Sequence, residues 1–519
     1  MSRALAIVAV FMGLGGAAIP VPNQAPLDIL IKGGRVLDGS GNPWVRADVG
    51  IRGDRIVLVA PNAAAAATLV IDAKDRIVAP GFMDPHSHAL GGLTNPQLRD
   101  ARSLIAQGLT LVIGNPDGGG PTNLASQRAS IEADGGVGVN VALVIGHASV
   151  RRAAMTGSQE RAPTAAELDQ MRALVRQAVA DGAFGLSSGL FYEPGRYSKT
   201  EEVIALAREA GGVYTSHVRD EGDYDVGVVA SIDEVIRIAD EARVRGVVSH
   251  MKALGPDNWG KSAQLIAHIE AARARGVEVF ADQYPYEASS TSLGAAVMPG
   301  ESGADAREAM AGPESKRIFL GRVKENIRRR GGPKSIVIAS GGGAPGLAGK
   351  NLEEIAASRG VTPEQAAADI VIAGGASIVS FNMSEKDIEA IMRQPWTMGS
   401  SDGGISLPGP SLPHPRSNGA FPRRIGVYVR ERKVITLEQA VRTMTSLTAR
   451  VFGFVDRGEI RPGAFADVVI FDPAKVVDTA TYAKPHEIAQ GIDWVIVNGQ
   501  VERKEGEFTG VRAGRVLRR

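Results

Sequence analysis

Short apolar runs alternate with amphipathic helical stretches through the middle of this 519-residue chain, and that alternation limits what it can fold into. The runs read LTLVIGN, VNVALVIGHA, GAFGLSSGL, GGVYTSHV, GVVSHMK, VEVFADQYPY and WTMGSSDGG. Helices such as TAAELDQMRALVRQAVADG and GKSAQLIAHIEAARARG lie between several of them. Strands that are apolar throughout and separated by helices belong to a parallel sheet covered on both faces. With the segment that ends at Gly81, about eight such strands can be found, which suits a distorted (β/α)8 TIM barrel better than an open sheet. The barrel is expected over residues 81–450, with an insertion at about 292–375, where the rhythm breaks. The Gly-rich stretch ASGGGAPGLAGK lies in that region. It lacks phosphate-loop spacing, because Lys350 is followed by Asn351.

The two ends of the chain read differently. Residues 26–80 and 451–519 hold short alternating strands and turns, such as DILIKGGRVLDGSG, ADVGIRGDRIVLVA, RPGAFADVVIFDP and WVIVNGQVERKEGEF. Two β-rich segments at opposite termini are expected to pair into one small β-sandwich domain, since chain ends often lie close together. Residues 1–24, MSRALAIVAVFMGLGGAAIPVPNQ, combine an arginine, a short apolar run and small residues, the pattern of a secretory signal peptide. A periplasmic or secreted protein follows as the expectation, with no membrane insertion of the mature chain.

Composition removes several functions. A formal net charge of +1 and the absence of any long basic run exclude an electrostatic nucleic-acid binder. The short cluster Arg328, Arg329, Arg330 reads as a solvated helix end. No cysteine is present, so a disulfide framework and every thiolate-held zinc site are excluded. No coiled-coil heptads appear.

Four of the eight histidines share one kind of position. His86 and His88 follow a strand two residues apart, so both side chains point the same way. His217 ends GGVYTSHV, His250 ends GVVSH, and Asp402 follows WTMGSSDGG's apolar start. In a parallel barrel these positions share the rim where active sites form. Imidazole nitrogens and carboxylate oxygens converging there suit zinc, as one or two ions. Zinc would activate water against a neutral amide, with Asp402 as the acid–base group. His147 ends VNVALVIGHA and could face substrate; His268 lies in a helical stretch; His414 belongs to a loop that could line a pocket; His486 reads as structural.

These residues carry a family resemblance. The blocks GFMDPHSHALGG, GLSSGLFYEPGRYSKTEEVIALA, YTSHVRDEG, VSHMKALG, WGKS, DQYPYEASST, SSDGG and RPGAFADVVIFDP occur in an order that resembles the N-acyl-D-amino-acid deacylase branch of the amidohydrolase superfamily and its dipeptidase relatives. The resemblance implies a β-sandwich beside a distorted barrel, one or two zinc ions on His86, His88, His217 and His250, and Asp402 as catalytic residue. It further implies that Lys252 and Tyr284, with Ser289 or Ser290, hold a substrate α-carboxylate; Arg219 is an additional cation near the rim. One position departs from the pattern. A metal-binding cysteine follows the second barrel strand in D-aminoacylases, where this chain has IGNPDGGG. Proline cannot ligate, so Asp117 is expected to take that place, with Lys199, Glu193 or a site without a protein bridge as the alternatives. The expected substrate is a small molecule, an N-acyl amino acid of D or L configuration or a dipeptide, including one with a C-terminal D-residue. A cyclic amide and a non-catalytic periplasmic binding protein are the remaining readings.

Overall fold

The structure, a computed structural model, describes residues 26–342 and 346–519; the signal-peptide expectation lies outside the described residues. Eight parallel strands follow one another in chain order. They are β1 (Phe82–Asp84), β2 (Leu109–Gly114), β3 (Asn140–Leu143, resumed as Ile145–Gly146), β4 (Gly185–Gly189), β5 (Val213–His217), β6 (Arg245–Val248), β7 (Val279–Gln283) and β8 (Thr397–Gly399). Every residue of β1, β2, β4, β5 and β7 is buried, as expected for strands packed on both faces.

The ring is distorted at two seams. β1 to β3 form one ladder, and the resumed end of β3 starts a second that runs to β8. At the break in β3, the amide of Val144 donates to Gly114 O at 3.4 Å and that of Phe184 to Leu143 O at 2.9 Å. At the other seam no ladder forms among the described residues; loop bonds join β8 to β1 instead. The amide of Ser401 donates to Asp84 Oδ1 at 3.0 Å, that of Asp402 to His86 O at 3.0 Å, and that of His88 to Gly403 O at 2.8 Å. The result is a distorted (β/α)8 barrel. Its helices carry their own start signals: Ala165–Ala180 begins at a Thr164–Glu167 capping box and turns Met171, Val175 and Ala178 inward.

Both termini build one sheet. Val468–Phe471 runs antiparallel to Ile77–Pro80, pairing Val469 with Ala79, and so welds the C-terminal strands to the N-terminal ones. The nine strands are continuous in hydrogen bonding and enclose a core that includes Ile31, Val49, Ile71, Val468 and Trp494. A buried polar cluster ties this sheet to β3. Arg457 is ion-paired with Asp467. The amide of Asn498 donates to Asp467 Oδ1 at 2.8 Å, and its side chain to Asn140 Oδ1 at 2.8 Å.

Between β7 and β8 an insertion folds around its own core, which includes Leu293, Phe319, Ile338 and Ile370. Its three-stranded antiparallel sheet runs from Ala288–Ser292 to Ala376–Phe381, a little wider than the expected 292–375. The first of these strands reads ASSTS and offers no apolar alternation by which it could be recognised. Among the described residues no helix is long and apolar enough to cross a membrane.

One carboxyl in the terminal sheet titrates out of range. Glu502 accepts the amide of Ala513, and burial, with Asp100 nearby, pushes its pKa up to about 7 despite the amides that favour the anion. The folded state then holds a proton that the unfolded chain has released, so stability falls as pH rises from about 4.5 to about 7. The melting temperature of the native protein should drop between about pH 5 and about pH 8 relative to that of Glu502→Gln. Parallel profiles would contradict this.

Candidate metal centre and active site

The C-terminal ends of the strands bring six predicted residues together. His217 is the last residue of β5; His86, Asp117, His250 and Asp402 stand two or three residues beyond β1, β2, β6 and β8, and His88 follows His86. The imidazole centroids of His86 and His250 lie 4.8 Å apart, those of His217 and His250 4.5 Å, and those of His86 and His88 5.4 Å. Asp117 sits between them. Its Oδ1 lies 3.4 Å from His86 Nε2 and 3.8 Å from both His217 Nδ1 and His250 Nε2; its Oδ2 lies 3.3 Å from His88 Nε2. Asp402 Oδ1 approaches His88 Nε2 at 3.2 Å and His86 Nε2 at 3.5 Å.

Backbone conformation fixes these side chains. Asp117, His250 and Asp402 adopt φ of 56°, 35° and 49°, in the left-handed region that costs a non-glycine residue about 1–3 kcal/mol. For Asp117 the cause is visible. Ser187 Oγ donates to Asn115 O at 2.6 Å and accepts the amide of Gly118 at 3.1 Å, clamping the loop on both sides of Asp117. Gly189 leaves the space the loop needs, since a Cβ there would meet Asp117 O at 2.4 Å.

Several buried atoms of the cluster have no hydrogen-bond partner among the described residues: His86 Nε2, Asp117 Oδ1 and both ring nitrogens of His217. Unpaired donors and acceptors facing one another in a buried space are the mark of a cation site. Three overlapping triads meet the spacing for one, namely His86–His88–Asp402, His86–Asp117–His250 and His217–Glu221–His250. The donor set is nitrogen and oxygen alone, which fits zinc. Electrostatics agree. Burial works against both carboxylates, yet the surrounding imidazoles hold Asp117 well below the usual range, and Arg416 with the imidazoles does the same for Asp402. Burial pushes His217 down to about 4. His250 moves up to about 9, because Asp402, Glu221 and Asp117 outweigh burial and Lys252.

A cavity of about 280 Å³ opens onto the cluster, and Lys252, Tyr284, Ser289 and Ser290 line it together with His88, Asp117, His217, His250 and Asp402. Arg219 does not reach it. Its guanidinium is held by Glu234 at 2.8 and 2.9 Å and by the carbonyls of Arg196 and Ser198, so the expectation that it meets substrate is corrected. The alternative bridges are also elsewhere. Lys199 stands at the start of helix Thr200–Ala210, and Glu193 accepts the Tyr197 hydroxyl at 2.7 Å. His147 is bonded to Glu202 at 2.8 Å, His268 to Asp233 at 2.7 Å and His486 to Ser411 O at 3.3 Å. His414 donates to Ala288 O at 2.9 Å and packs behind the cavity against Tyr284 and Tyr286.

Three charged residues of the cavity escaped the sequence reading. Glu221, four residues after His217, contacts His250 Nδ1 at 3.0 Å and pairs with Lys252. Arg416, two residues after His414, contacts Asp402 Oδ2 at 2.7 Å. Arg330 is 3% exposed, although its neighbour Arg328 is the solvated helix end that the cluster suggested. The spacing of Glu221 from His217 was a usable signal; nothing local distinguishes Arg330 from Arg328.

Fold and site together define a metal-dependent hydrolase on a (β/α)8 barrel. The chain belongs to the amidohydrolase family, whose pattern matches residues 69–502. It is 38% identical to a D-aminoacylase of Alcaligenes xylosoxydans xylosoxydans over 96% of this chain and 99% of that protein. A crystal structure of N-acyl-D-glutamate deacylase from Bordetella bronchiseptica, complexed with zinc and a phosphonate mimic of the tetrahedral intermediate, superposes with a TM-score of 0.81. That match has 36% identity and covers 95% of this chain and all of the other (100%). A D-aminoacylase structure described by its binuclear metal centre matches over the same share of both chains, with the same TM-score of 0.81. The protein is thus a metal-dependent enzyme acting on amide bonds.

The loop that carries Asp117 can be tested without touching a ligand. Gly189→Ala should displace it and weaken zinc binding by about 10- to 100-fold, with a cost of about 1–3 kcal/mol to the metal-free fold from the added methyl group. Unaltered zinc affinity would contradict the account.

Proposed function

We propose that the protein is a zinc-dependent deacylase that hydrolyses the amide bond of an N-acyl D-amino acid, releasing the acyl acid and the free amino acid. His86, His88, His217 and His250 would hold the metal, with Asp117, between the two pairs, as a further oxygen donor. When bound, zinc supplies a Lewis acid that makes water nucleophilic near neutral pH and polarises a carbonyl.

The chain's own residues do the rest. Asp402 takes a proton from the attacking water and gives it to the departing nitrogen. Arg416, against Oδ2, keeps that carboxylate ionised and leaves Oδ1 directed at the imidazoles. Lys252 Nζ donates to the far nitrogen of His250, Nδ1, at 2.7 Å, and Glu221 pairs with that lysine, so the two hold the ring from behind. Lys252 and Tyr284 receive the substrate α-carboxylate with one cation and one hydroxyl, beside Ser289 on the cavity wall.

One observation favours an acyl group over a free amine. Every acidic side chain lining the cavity already faces a cation or imidazoles: Glu221 faces Lys252, Asp402 faces Arg416, and Asp117 faces the histidines. Nothing is left to receive the ammonium of a dipeptide. The D configuration is supported by the likeness to D-aminoacylase over nearly the whole chain. The signal-peptide pattern of residues 1–24 supports a periplasmic or secreted enzyme.

A panel of N-acetyl-D-amino acids, N-acetyl-L-amino acids and L,D-dipeptides tests this reading. N-acetyl-D substrates should be hydrolysed fastest, and Asp402→Asn should lower kcat by about 10²- to 10⁴-fold while retaining zinc. Preferential cleavage of dipeptides or L-substrates would overturn it.

A further inference from the structure

Three cationic side chains other than histidine line the active-site cavity, and two of them have carboxylate partners. Lys252 pairs with Glu221, and Arg416 with Asp402. Arg330 is the third, and its partners are neutral. Nε donates to the Tyr224 hydroxyl at 2.8 Å and to Ala296 O at 3.3 Å. With the Asn382 amide turned to match its surroundings, the amide oxygen accepts from Arg330 Nη1 at 3.1 Å and from Ser289 Oγ at 2.9 Å. Asn382 thereby joins Arg330 to Ser289 on one wall of the cavity. Nη2 donates to nothing among the described residues, and the remaining residues of the chain contain no Asp or Glu.

A guanidinium cannot shed its proton to escape burial, so an unmatched one is unfavourable until an anion arrives. Its parallel N–H donors fit a planar carboxylate. The nearby wall is polar as well, with the hydroxyls of Ser290 and Thr291 lining the cavity.

We propose that Arg330 binds a carboxylate carried on the substrate's side chain, so that the preferred substrate is an N-acyl amino acid with an acidic side chain. This rests on the deacylase reading, in which Lys252 and Tyr284 take the α-carboxylate and leave Arg330 for a second anion. The chemistry is that of the parent hydrolysis; Arg330 contributes binding and selection.

N-acetyl-D-glutamate, N-acetyl-D-glutamine and N-acetyl-D-methionine separate charge from size. The zinc enzyme should prefer the glutamate substrate over the glutamine one by about 10-fold or more in kcat/KM, the scale of a hydrogen bond to a charged group. Arg330→Met should abolish that preference, chiefly through KM, by lowering kcat/KM for the glutamate substrate at least about 10-fold more than for either neutral one; Arg330→Lys should restore part of it. Equal rates on glutamate and glutamine in the native enzyme, or an equal loss on all three substrates in Arg330→Met, would overturn the proposal. If no N-acyl amino acid is turned over, the deacylase reading fails by itself. Calorimetric binding of N-acetyl-D-glutamate against N-acetyl-D-glutamine to the zinc-loaded native protein then decides the role of Arg330: tighter glutamate binding supports it, and equal binding overturns it.

Discussion

A carboxylate held among four imidazoles organises this molecule. Asp117 lies 3.3 to 3.8 Å from ring nitrogens that arrive on three different strand ends, and no local segment could assemble that contact. It exists because β1, β2, β5 and β6 are parallel members of one ring with their C-terminal ends at a common mouth. The left-handed backbone at Asp117 is unfavourable locally, and the Ser187 clamp with the space left by Gly189 offsets it. The unfavourable terms concentrate where the chemistry is.

The seam between β8 and β1 serves the same end. A regular ladder there would keep Asp402 in the sheet. Loop bonds to His86 O and from His88 close the ring instead and leave Asp402 across from the histidine pair. The seam that distorts the barrel therefore also positions Asp402. The insertion after β7 completes the cavity: its first strand supplies Ser289 and Ser290, and the end of its long helix supplies Arg330. Histidine cluster, Asp402 and cavity wall thus come from three separate parts of the scaffold.

Much of this was legible before any coordinates. Two-residue spacing at His86 and His88, and histidines ending apolar runs at His217 and His250, follow from the geometry of parallel strands alone. The loop after β2 carried Asp117 where a thiolate ligand would otherwise stand, and side-chain chemistry then excluded proline. What stayed hidden depends on contacts across the chain. Arg219 stands two residues from a metal-site histidine, yet Glu234 on a neighbouring helix captures it. Arg416 and Arg330 enter the cavity from loops and helix ends far along the sequence, where no periodicity marks a side chain as inward. The polar strand Ala288–Ser292 hid the edge of the insertion for the same reason.

The most direct measurement is a zinc titration of metal-free protein in which Asp117 is replaced by alanine. If this carboxylate joins the two histidine pairs, the variant binds zinc at least about 10-fold more weakly or takes up fewer ions per chain than the native protein. Native affinity together with native stoichiometry in Asp117→Ala would remove Asp117 from the centre, and the account of the site with it.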